Sequence, residues 1–216
     1  TGEMRQAEIF GENMIRRRTV ETVYGSNEIL FHDEIENQGF KPEPLCFLYH
    51  CNAGYPFLTP ESRLILPEVS CIPRDGEAQK GMAGRLSMGQ AEDGQAEQVF
   101  QYSLASDREG NTFGAFVNDD RELALCIRWN VKKIPLMAQW KSCASGDYAM
   151  ALEPANCGFD GRAGRTRLLA PFEKHINEIR FCIAEGRREM EALVEECRNL
   201  MSEQDYGTDG GISCMM

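Results

Sequence analysis

Residues 45–58, LCFLYHCNAGYPFL, decide how this chain is interpreted. The stretch is an almost unbroken apolar run, typical of a strand buried on both faces, yet it contains His50 and leads at once into a polar, glycine-bearing turn. On a strand over residues 45–51, Cys46 and Leu48 share the face of His50. His50 ends that face, so its ring either lies at the floor of a cleft or is a core histidine bonded to a backbone carbonyl.

The rest of the chain limits the class of protein. Its 216 residues are enough for one sizeable domain. A net charge of −11, from 34 acidic and 23 basic residues, argues against a nucleic-acid-binding surface and against adhesion to anionic membranes. No stretch approaches the roughly 18 continuous apolar residues of a membrane-spanning helix. The chain begins at Thr1 without Met or a signal-peptide pattern, so we expect a processed protein or a piece of a longer one.

The cysteines are odd in number, scattered and without a C-x-x-C pair; the nine are residues 46, 51, 71, 126, 143, 157, 182, 197 and 214. Most lie in apolar runs, which predicts free buried thiols in a reducing cytoplasm. A zinc site built from Cys46, His50 and Cys51 is the alternative interpretation. Adjacent strand residues point to opposite faces, however, so His50 and Cys51 could hardly share one ion, and we predict no metal.

Period-two patterning dominates most of the sequence. In residues 27–37, Ile29, Phe31 and Ile35 fall on one face of a half-buried strand, and a turn at 24–27 joins that strand to the preceding one as a hairpin. The other predicted strands, separated by turns rich in Gly, Pro, Asn and Asp, cover residues 4–10, 45–51, 63–69, 97–104, 112–118, 122–130, 135–141, 147–153 and 174–184. This pattern predicts an all-β fold, a large antiparallel sandwich over residues 1–184.

Two segments differ from this pattern. Residues 76–96 have no clear period and several glycines, which predicts a functional or disordered loop. Residues 185–204 are predicted to be a helix whose apolar side carries Met190, Leu193, Val194, Cys197, Leu200 and Met201. The tail, residues 206–216, shows no packing pattern and is expected to be mobile. We treat residues 185–216 as a second unit, whose apolar stripe could dock onto the sandwich or onto a second subunit in a homodimer.

The predicted strand 147–153 places two carboxylates on one face. That face carries Asp147, Ala149, Ala151 and Glu153, and its two alanines leave the open volume that a ligand pocket needs and a packed core avoids. Pro154 follows and is expected to end the strand. Glu153 is therefore either a general base at a strand end or a solvated residue at the rim.

Trp140 and an arginine cluster are further candidates for ligand contacts. Trp140 could stack on a sugar ring or pack in the core. Arg162, Arg165 and Arg167 follow a glycine-bearing loop and could hold a carboxylate or a phosphate, or could lie solvated in that loop.

Several stretches of the chain resemble the aldose 1-epimerase (galactose mutarotase) superfamily, and most closely its uncharacterised aldose-epimerase-like branch. They are FHDEIENQGFKPEPLCFLYHCNAGYPFL at 31–58, AEQVFQY at 96–102, MAQWKSCASGDYAMALEPANCGFDGRAGR at 137–165 and FEKHINEIRFCIAE at 172–185. The resemblance runs from about residue 3 to residue 184. It implies an antiparallel β-supersandwich of two sheets with a sugar site in a concave cleft.

The resemblance also implies roles for single residues. His50, followed by Asn52, is similar in placement to the general-acid histidine of an H-x-Y-F-N-L-like motif, and Glu153 resembles the general-base glutamate of an L-E-T-Q-like motif. Glu97 and Gln98 stand where the family has a sugar-binding D-H pair, with a carboxylate one methylene longer. The residues expected to contact the sugar are Asn52, Glu97, Gln98, Trp140, Asn156 and Arg162.

The function implied by the resemblance is interconversion of sugar anomers by acid–base ring opening, without a cofactor, in the cytoplasm. A non-catalytic carbohydrate-binding protein and a structural or oligomerisation piece are the alternatives. A second His and an Arg that mutarotases carry in their N-terminal part have no match here, so we expect the chain to begin partway through the family's domain. The mechanism requires His50 and Glu153 to face each other across a cavity about as wide as one monosaccharide.

Overall fold

The computed structural model describes residues 1–164 and 166–205. Its strands are β1 Gly2–Ala7, β2 Asn13–Glu21, β3 Glu28–Asn37, β4 Glu43–Pro44, β5 Cys51–Gly54, β6 Arg63–Ile65, β7 Glu68–Pro73, β8 Gln98–Leu104, β9 Asn111–Asn118, β10 Leu123–Asn130, β11 Leu136–Ser142, β12 Ala149–Ala155, β13 Leu168–Leu169 and β14 Lys174–Glu185. Its helices are α1 Gly76–Gly81 and α2 Arg187–Asp205. Arg165, Cys214 and the tail predicted to be mobile, residues 206–216, lie outside the described residues.

Two antiparallel sheets form the body of the molecule, which confirms the predicted all-β sandwich. A seven-stranded sheet has the order β1-β2-β3-β14-β10-β9-β6, and a five-stranded sheet has the order β5-β12-β11-β8-β7. The predicted hairpin is present as the pair β2 and β3. A third, two-stranded sheet pairs β13 with β4.

The main hydrophobic core lies between the two large sheets. Phe100, Tyr102 and Leu152 of the five-stranded sheet pack there with Phe116 and Ile127 of the seven-stranded sheet, all at most 1% exposed. The sheets approach closely because β9 carries a glycine at its centre. A Cβ added at Gly114 would lie 2.9 Å from Leu66 and 3.0 Å from Leu152.

The predicted strand 45–51 is wrong in part, because residues 45–50 do not form a regular strand. Their backbone groups bind several different partners: Leu45 N–H donates to the carbonyl of Arg167, Phe47 N–H to the side chain of Asn156, and Tyr49 N–H to the carbonyl of Pro154. Regular pairing begins only at β5. The predicted alternation holds nevertheless, since Leu45 and Tyr49 are buried while His50 is exposed.

Two proline positions also differ from the predictions. The predicted strand 63–69 is two strands that meet at Pro67: β6 pairs with β9 in one sheet and β7 pairs with β8 in the other. Conversely, Pro154 does not end its strand. β12 continues through Ala155, because Pro154 needs only its carbonyl oxygen for the ladder, and that oxygen accepts a hydrogen bond from Tyr49.

The predicted loop 76–96 is anchored to the five-stranded sheet. It begins with α1, which Asp75 caps by accepting from the N–H groups of Glu77 and Ala78, and continues into a 3-10 turn at Met82–Gly84. Four side chains, on β11 or in the segment between β11 and β12, donate hydrogen bonds to the backbone carbonyls of this loop. The donors are Gln139, Lys141, Cys143 and Tyr148, and the acceptors are Gly84, Arg85, Ser87, Met88 and Gly89. These bonds take the place of a sheet ladder.

The predicted helix is present as α2 and packs on the outer face of the seven-stranded sheet. Met190, Leu193 and Leu200 are at most 8% exposed and lie in a second hydrophobic cluster with residues of β9 and β10. Arg128 on β10 binds Glu196 on the helix through both guanidinium nitrogens. The apolar stripe therefore docks onto the chain's own sheet. Neither described helix combines the length and apolar character needed to cross a membrane.

Candidate active site

One face of the five-stranded sheet packs in the core, and the other forms the floor of an open cleft. On β12, Met150 and Leu152 are buried in the core, whereas Glu153 and Ala155 line the cleft. The cleft encloses about 450 Å³, within the usual size range of small-molecule sites.

Strand register brings the cleft residues of three strands together. Glu153 on β12 lies opposite Ala138 on β11, and Trp140 on β11 lies opposite Val99 on β8. All four side chains line the cleft. His50 arrives from a different direction, on the irregular segment that precedes β5, where a single bridge joins Leu48 to Ala155. The site therefore depends on the packing of two segments that are distant in the sequence.

His50 and Glu153 are in direct contact. The distance from Nε2 of His50 to Oε1 of Glu153 is 3.0 Å. We predicted that these groups face each other across a gap as wide as a monosaccharide, and that spacing is wrong. The Glu153 side chain is only 9% exposed, whereas the His50 side chain is 50% exposed, so the carboxylate lies at the floor and the imidazole at the mouth of the cleft.

The surroundings of Glu153 make it a stronger base than an ordinary glutamate. Burial raises the pKa of Glu153 above its usual value, the neighbouring His50 lowers it by less, and the negative charge of Glu97 raises it further. A carboxylate whose pKa is shifted upwards towards neutrality is suited to general base catalysis. The direction of the shift thus fits the role that the sequence predicted for this residue.

Glu97 and Trp140 form a second polar cluster in the cleft. Trp140 Nε1 donates a hydrogen bond to Oε2 of Glu97 at 2.6 Å, and Arg74 Nη2 donates to Oε1 at 2.9 Å. These two bonds lower the pKa of Glu97 and keep it ionised. The Trp140 ring lies beside His50, with ring centroids 6.3 Å apart. The cluster thus fixes the indole in one orientation next to His50.

Asn52 and Gln98, two predicted sugar contacts, lie on opposite faces of the sheet. Asn52 is exposed and pairs with Ala151, which puts it on the same face as Glu153. Gln98 points away from the cleft and packs on helix α1, where its side chain lies against Gly81. Strand alternation explains the difference, because Gln98 follows a residue that lines the cleft.

Asn156 and Arg162 are engaged outside the cleft. The Asn156 side chain accepts a hydrogen bond from Phe47 N–H and donates one to the carbonyl of Leu45, so it holds the segment leading to His50. Arg162 binds Glu12 at 3.0 Å. Arg167 binds Glu173 and lies next to the His175 ring, so the two described arginines of the predicted cluster have separate partners.

Among the cleft residues that were not predicted from the sequence, one is charged and one carries a side-chain amide: Arg74 and Gln101. Gln101 shares the face of Glu97, and counting by two along the strand would have found it. Arg74 follows β7 directly, and no signal in the sequence separates it from other arginines at strand ends. Cys157 also lines the cleft, and its Sγ atom lies 2.7 Å from the Sγ atom of Cys46.

The zinc site considered from the sequence is not formed. His50 lines the cleft, while Cys51 packs against the core and its thiol donates to the carbonyl of Tyr49. Within residues 1–164 and 166–205 no group of three or more His, Cys, Asp or Glu side chains is arranged to hold a metal ion. The eight cysteines in this part of the chain are free thiols.

A larger cavity, of about 650 Å³, lies on the outer face of the seven-stranded sheet beside α2. Its walls carry charged side chains that already have partners, including the bidentate pair of Arg128 with Glu196 and the pair of Arg180 with Glu28. None of the described residues that line it is a histidine or a cysteine. The smaller cleft is therefore the better candidate for chemistry.

Comparison with known proteins identifies relatives in sequence and in fold. The family described as "Domain of unknown function (DUF4432)" matches residues 1–181. No curated protein matches the chain. Among solved structures, a proposed aldose 1-epimerase from Klebsiella pneumoniae superposes with a TM-score of 0.88 at 19% identity, covering 93% of this chain and 54% of that one.

Two further structures show the same fold at lower similarity. A galactose mutarotase-like protein from Clostridium acetobutylicum has a TM-score of 0.59 at 12% identity and covers 85% of this chain and 61% of its own. A galactose mutarotase related enzyme from Lactobacillus acidophilus has a TM-score of 0.61 at 12% identity, with 85% and 67% covered. The chain thus spans a little over half to two thirds of these proteins, and at such identities the likeness establishes the fold.

Proposed function

The chain belongs to the DUF4432 family, and from that premise we propose that the whole protein is an aldose 1-epimerase-like isomerase that interconverts sugar anomers. The observation that carries the proposal is the contact between His50 and Glu153 inside an open cleft. The mutarotase-like fold of the structural neighbours agrees with it. A non-catalytic carbohydrate-binding protein is the alternative.

The direct contact suits chemistry at an anomeric carbon. The hydroxyl oxygen on C1 and the ring oxygen are both bonded to that one carbon, so an acid and a base that serve them must lie next to each other. Glu153 removes the proton from the C1 hydroxyl while His50, as imidazolium, protonates the ring oxygen. The C1–ring oxygen bond breaks, the aldehyde forms, C1 rotates, and the reverse steps close the ring from the other face.

The remaining polar groups of the cleft would bind the sugar. Glu97, which its partners keep ionised, would accept hydrogen bonds from hydroxyl groups, and Trp140 would offer its ring to the C–H side of the pyranose. Asn52 lies on the same sheet face and would bind a hydroxyl near His50. The proposed acid, base and sugar-binding groups are all side chains of this chain.

The test is anomer exchange measured by NMR on glucose, galactose and xylose. Replacing either group, as Glu153→Gln or His50→Gln, should slow the exchange about 10²- to 10⁴-fold, since that is what general acid–base help contributes. The chain offers a matched control pair, because His32 and Glu178 lie 3.0 Å apart on the exposed surface. His32→Gln and Glu178→Gln should leave the exchange rate unchanged.

The outcomes separate the candidate functions. Wild-type exchange that Glu153→Gln does not slow would remove Glu153 from the role of base. Binding of sugar in calorimetry without exchange above buffer would favour the non-catalytic alternative. Loss of activity through unfolding is not expected, because burial raises the pKa of Glu153 and a permanently neutral Gln avoids the cost of burying a charge.

We also propose that the protein works in the cytoplasm. The support is the set of eight free thiols, which includes the close pair Cys46 and Cys157. Such a pair would be expected to oxidise in a secreted protein. Thiol counting in cell extracts quenched with an alkylating agent would test this, and a disulfide between these two residues would contradict it.

A further inference from the structure

A second hollow adjoins the cleft on the same open face of the five-stranded sheet. It encloses about 520 Å³ and shares Glu97 and Trp140 with the cleft as walls. On β12, Glu153 lines the cleft and Ala149, four residues earlier, lines the second hollow, a distance of about 13 Å along an extended strand. The two hollows therefore form one groove, with Trp140 between its halves.

The second hollow has the composition of a binding site for a polar ring. Ala144, Gly146 and Ala149 line it with small side chains, so its volume is open. Asp147 and Gln95 supply polar groups to its lining. Open volume beside a few polar groups is what a hydroxyl-bearing ring needs.

The second hollow gives a role to a feature of the sequence that anomer exchange on a single sugar ring does not use. The strand face Asp147, Ala149, Ala151 and Glu153 carries carboxylates at both ends, and only Glu153 takes part in anomer exchange. Asp147 lies in the second hollow and Glu153 in the cleft, with Ala151 paired to Trp140 between them. Because Glu97 holds the indole by a hydrogen bond of 2.6 Å, Trp140 offers a fixed aromatic surface at the junction of two rings.

We propose, resting on the function proposed above, that the substrate is a reducing disaccharide or longer oligosaccharide. Only the reducing-end ring has a free anomeric carbon, so this ring lies over His50 and Glu153. The next ring passes Trp140 and lies in the hollow of Ala149 and Asp147, where polar groups of Asp147 and Gln95 would form hydrogen bonds with its hydroxyls. The glycosidic bond stays intact throughout, because ring opening and closure occur at the reducing end alone.

The experiment compares matched sugars that share a reducing-end ring: glucose with cellobiose, galactose with galactobiose, and xylose with xylobiose. Anomer exchange by NMR and binding by calorimetry are measured for each pair on the full chain. For the preferred pair, kcat/KM and affinity should be at least tenfold higher for the disaccharide. Ala149→Leu, which fills the second hollow, should bring the ratio of disaccharide to monosaccharide close to one.

Two further variants keep the test decisive. Gln95→Ala should lower the ratio without adding bulk, so it serves if Ala149→Leu folds poorly. Ala7→Leu makes the same change as Ala149→Leu at an exposed position on β1 and should leave the ratio unaltered. Equal values for the two members of every pair, or a ratio that neither groove variant changes, would overturn the inference. Absence of exchange with a preserved preference in binding would overturn the proposed activity and leave the two-ring site standing.

Discussion

At the scale of single residues, the buried side chain of His175 makes the stability of the fold depend on pH in the acidic range. The residue is 3% exposed, Arg167 Nη1 lies 3.1 Å from its Nδ1, and its Nε2 atom has no partner among the described residues. Burial, together with the charges of Arg167 and Lys133, lowers its pKa from 6.5 to about 4. His175 is therefore neutral in the folded protein at neutral pH.

The sign of the resulting pH dependence follows from proton binding. Between pH 6.5 and about 4 the unfolded chain binds a proton that the folded chain does not, so stability is complete above 6.5 and falls as the pH drops. The contribution is about 1.4 kcal/mol per pH unit. We expect His175→Gln to flatten this part of the curve in urea unfolding, while His32→Gln, at an exposed position, keeps it. An unchanged slope in His175→Gln would contradict the assignment.

Single residues also mark how far the sequence could predict the site. His50 and Glu153 were selected because each was predicted to end a patterned strand segment and resembles a motif residue. Their contact was not, because it depends on how the irregular segment before β5 is placed beside β12. Asn156 was assigned to the sugar, yet its amide satisfies two backbone groups of that same segment. The sequence shows which side chains are polar but not which neighbours will use them.

At the scale of elements, the loop that follows β7 depends on a buried lysine. Lys141 is 8% exposed, and its ammonium group donates to the carbonyls of Gly84 and Ser87. We predict that Lys141→Met lowers the free energy of unfolding by about 2 to 3 kcal/mol, since two carbonyls lose a charged donor. Lys80→Met is the matched control, because Lys80 is exposed and, among the described residues, forms an ion pair with Glu77 alone. Chemical denaturation that gives equal losses for both variants would refute this.

The elements predicted well are those whose backbone bonds stay within one sheet. Strands β8, β9, β10, β11 and β14 match the period-two pattern to within two residues at their ends. The strand prediction failed at residues 45–50, where a side chain binds the backbone, because hydrophobic period carries no information about such bonds. The predictions at Pro67 and Pro154 failed for a related reason. A proline interrupts a strand only where a neighbouring strand would have accepted a hydrogen bond from the N–H group that proline lacks.

At the scale of the whole molecule, helix α2 closes the outer face of the seven-stranded sheet. Leu193 is 5% exposed in the cluster beneath the helix, whereas Met201 on the same helix is 44% exposed. We predict that Leu193→Ala lowers the unfolding free energy by about 2 to 4 kcal/mol and that Met201→Ala changes it by less than about 0.5. Thermal and urea denaturation measure both. Similar losses for the two variants would mean that the helix does not pack as described.

The same helix bears on the predicted homodimer, which stays a prediction. Because the apolar stripe of α2 packs on its own sheet, a dimer would have to form through another surface. Light scattering should therefore give the same mass for Leu193→Ala as for the wild-type chain while both remain folded. A lower mass for the variant alone would assign the subunit contact to the helix after all.

Strand β12 supplies the core with Met150 and Leu152 and the groove with Ala149 and Glu153. Insertion of a single amino acid directly after Ala149, inside this strand, would move the side chains that follow to the opposite face, because their alternation repeats every second position. The carboxylate would then enter hydrocarbon and two large apolar groups would enter water. Evolution of a new specificity in this groove can thus proceed by substitution along β12, whereas changes in chain length are confined to the turns on either side.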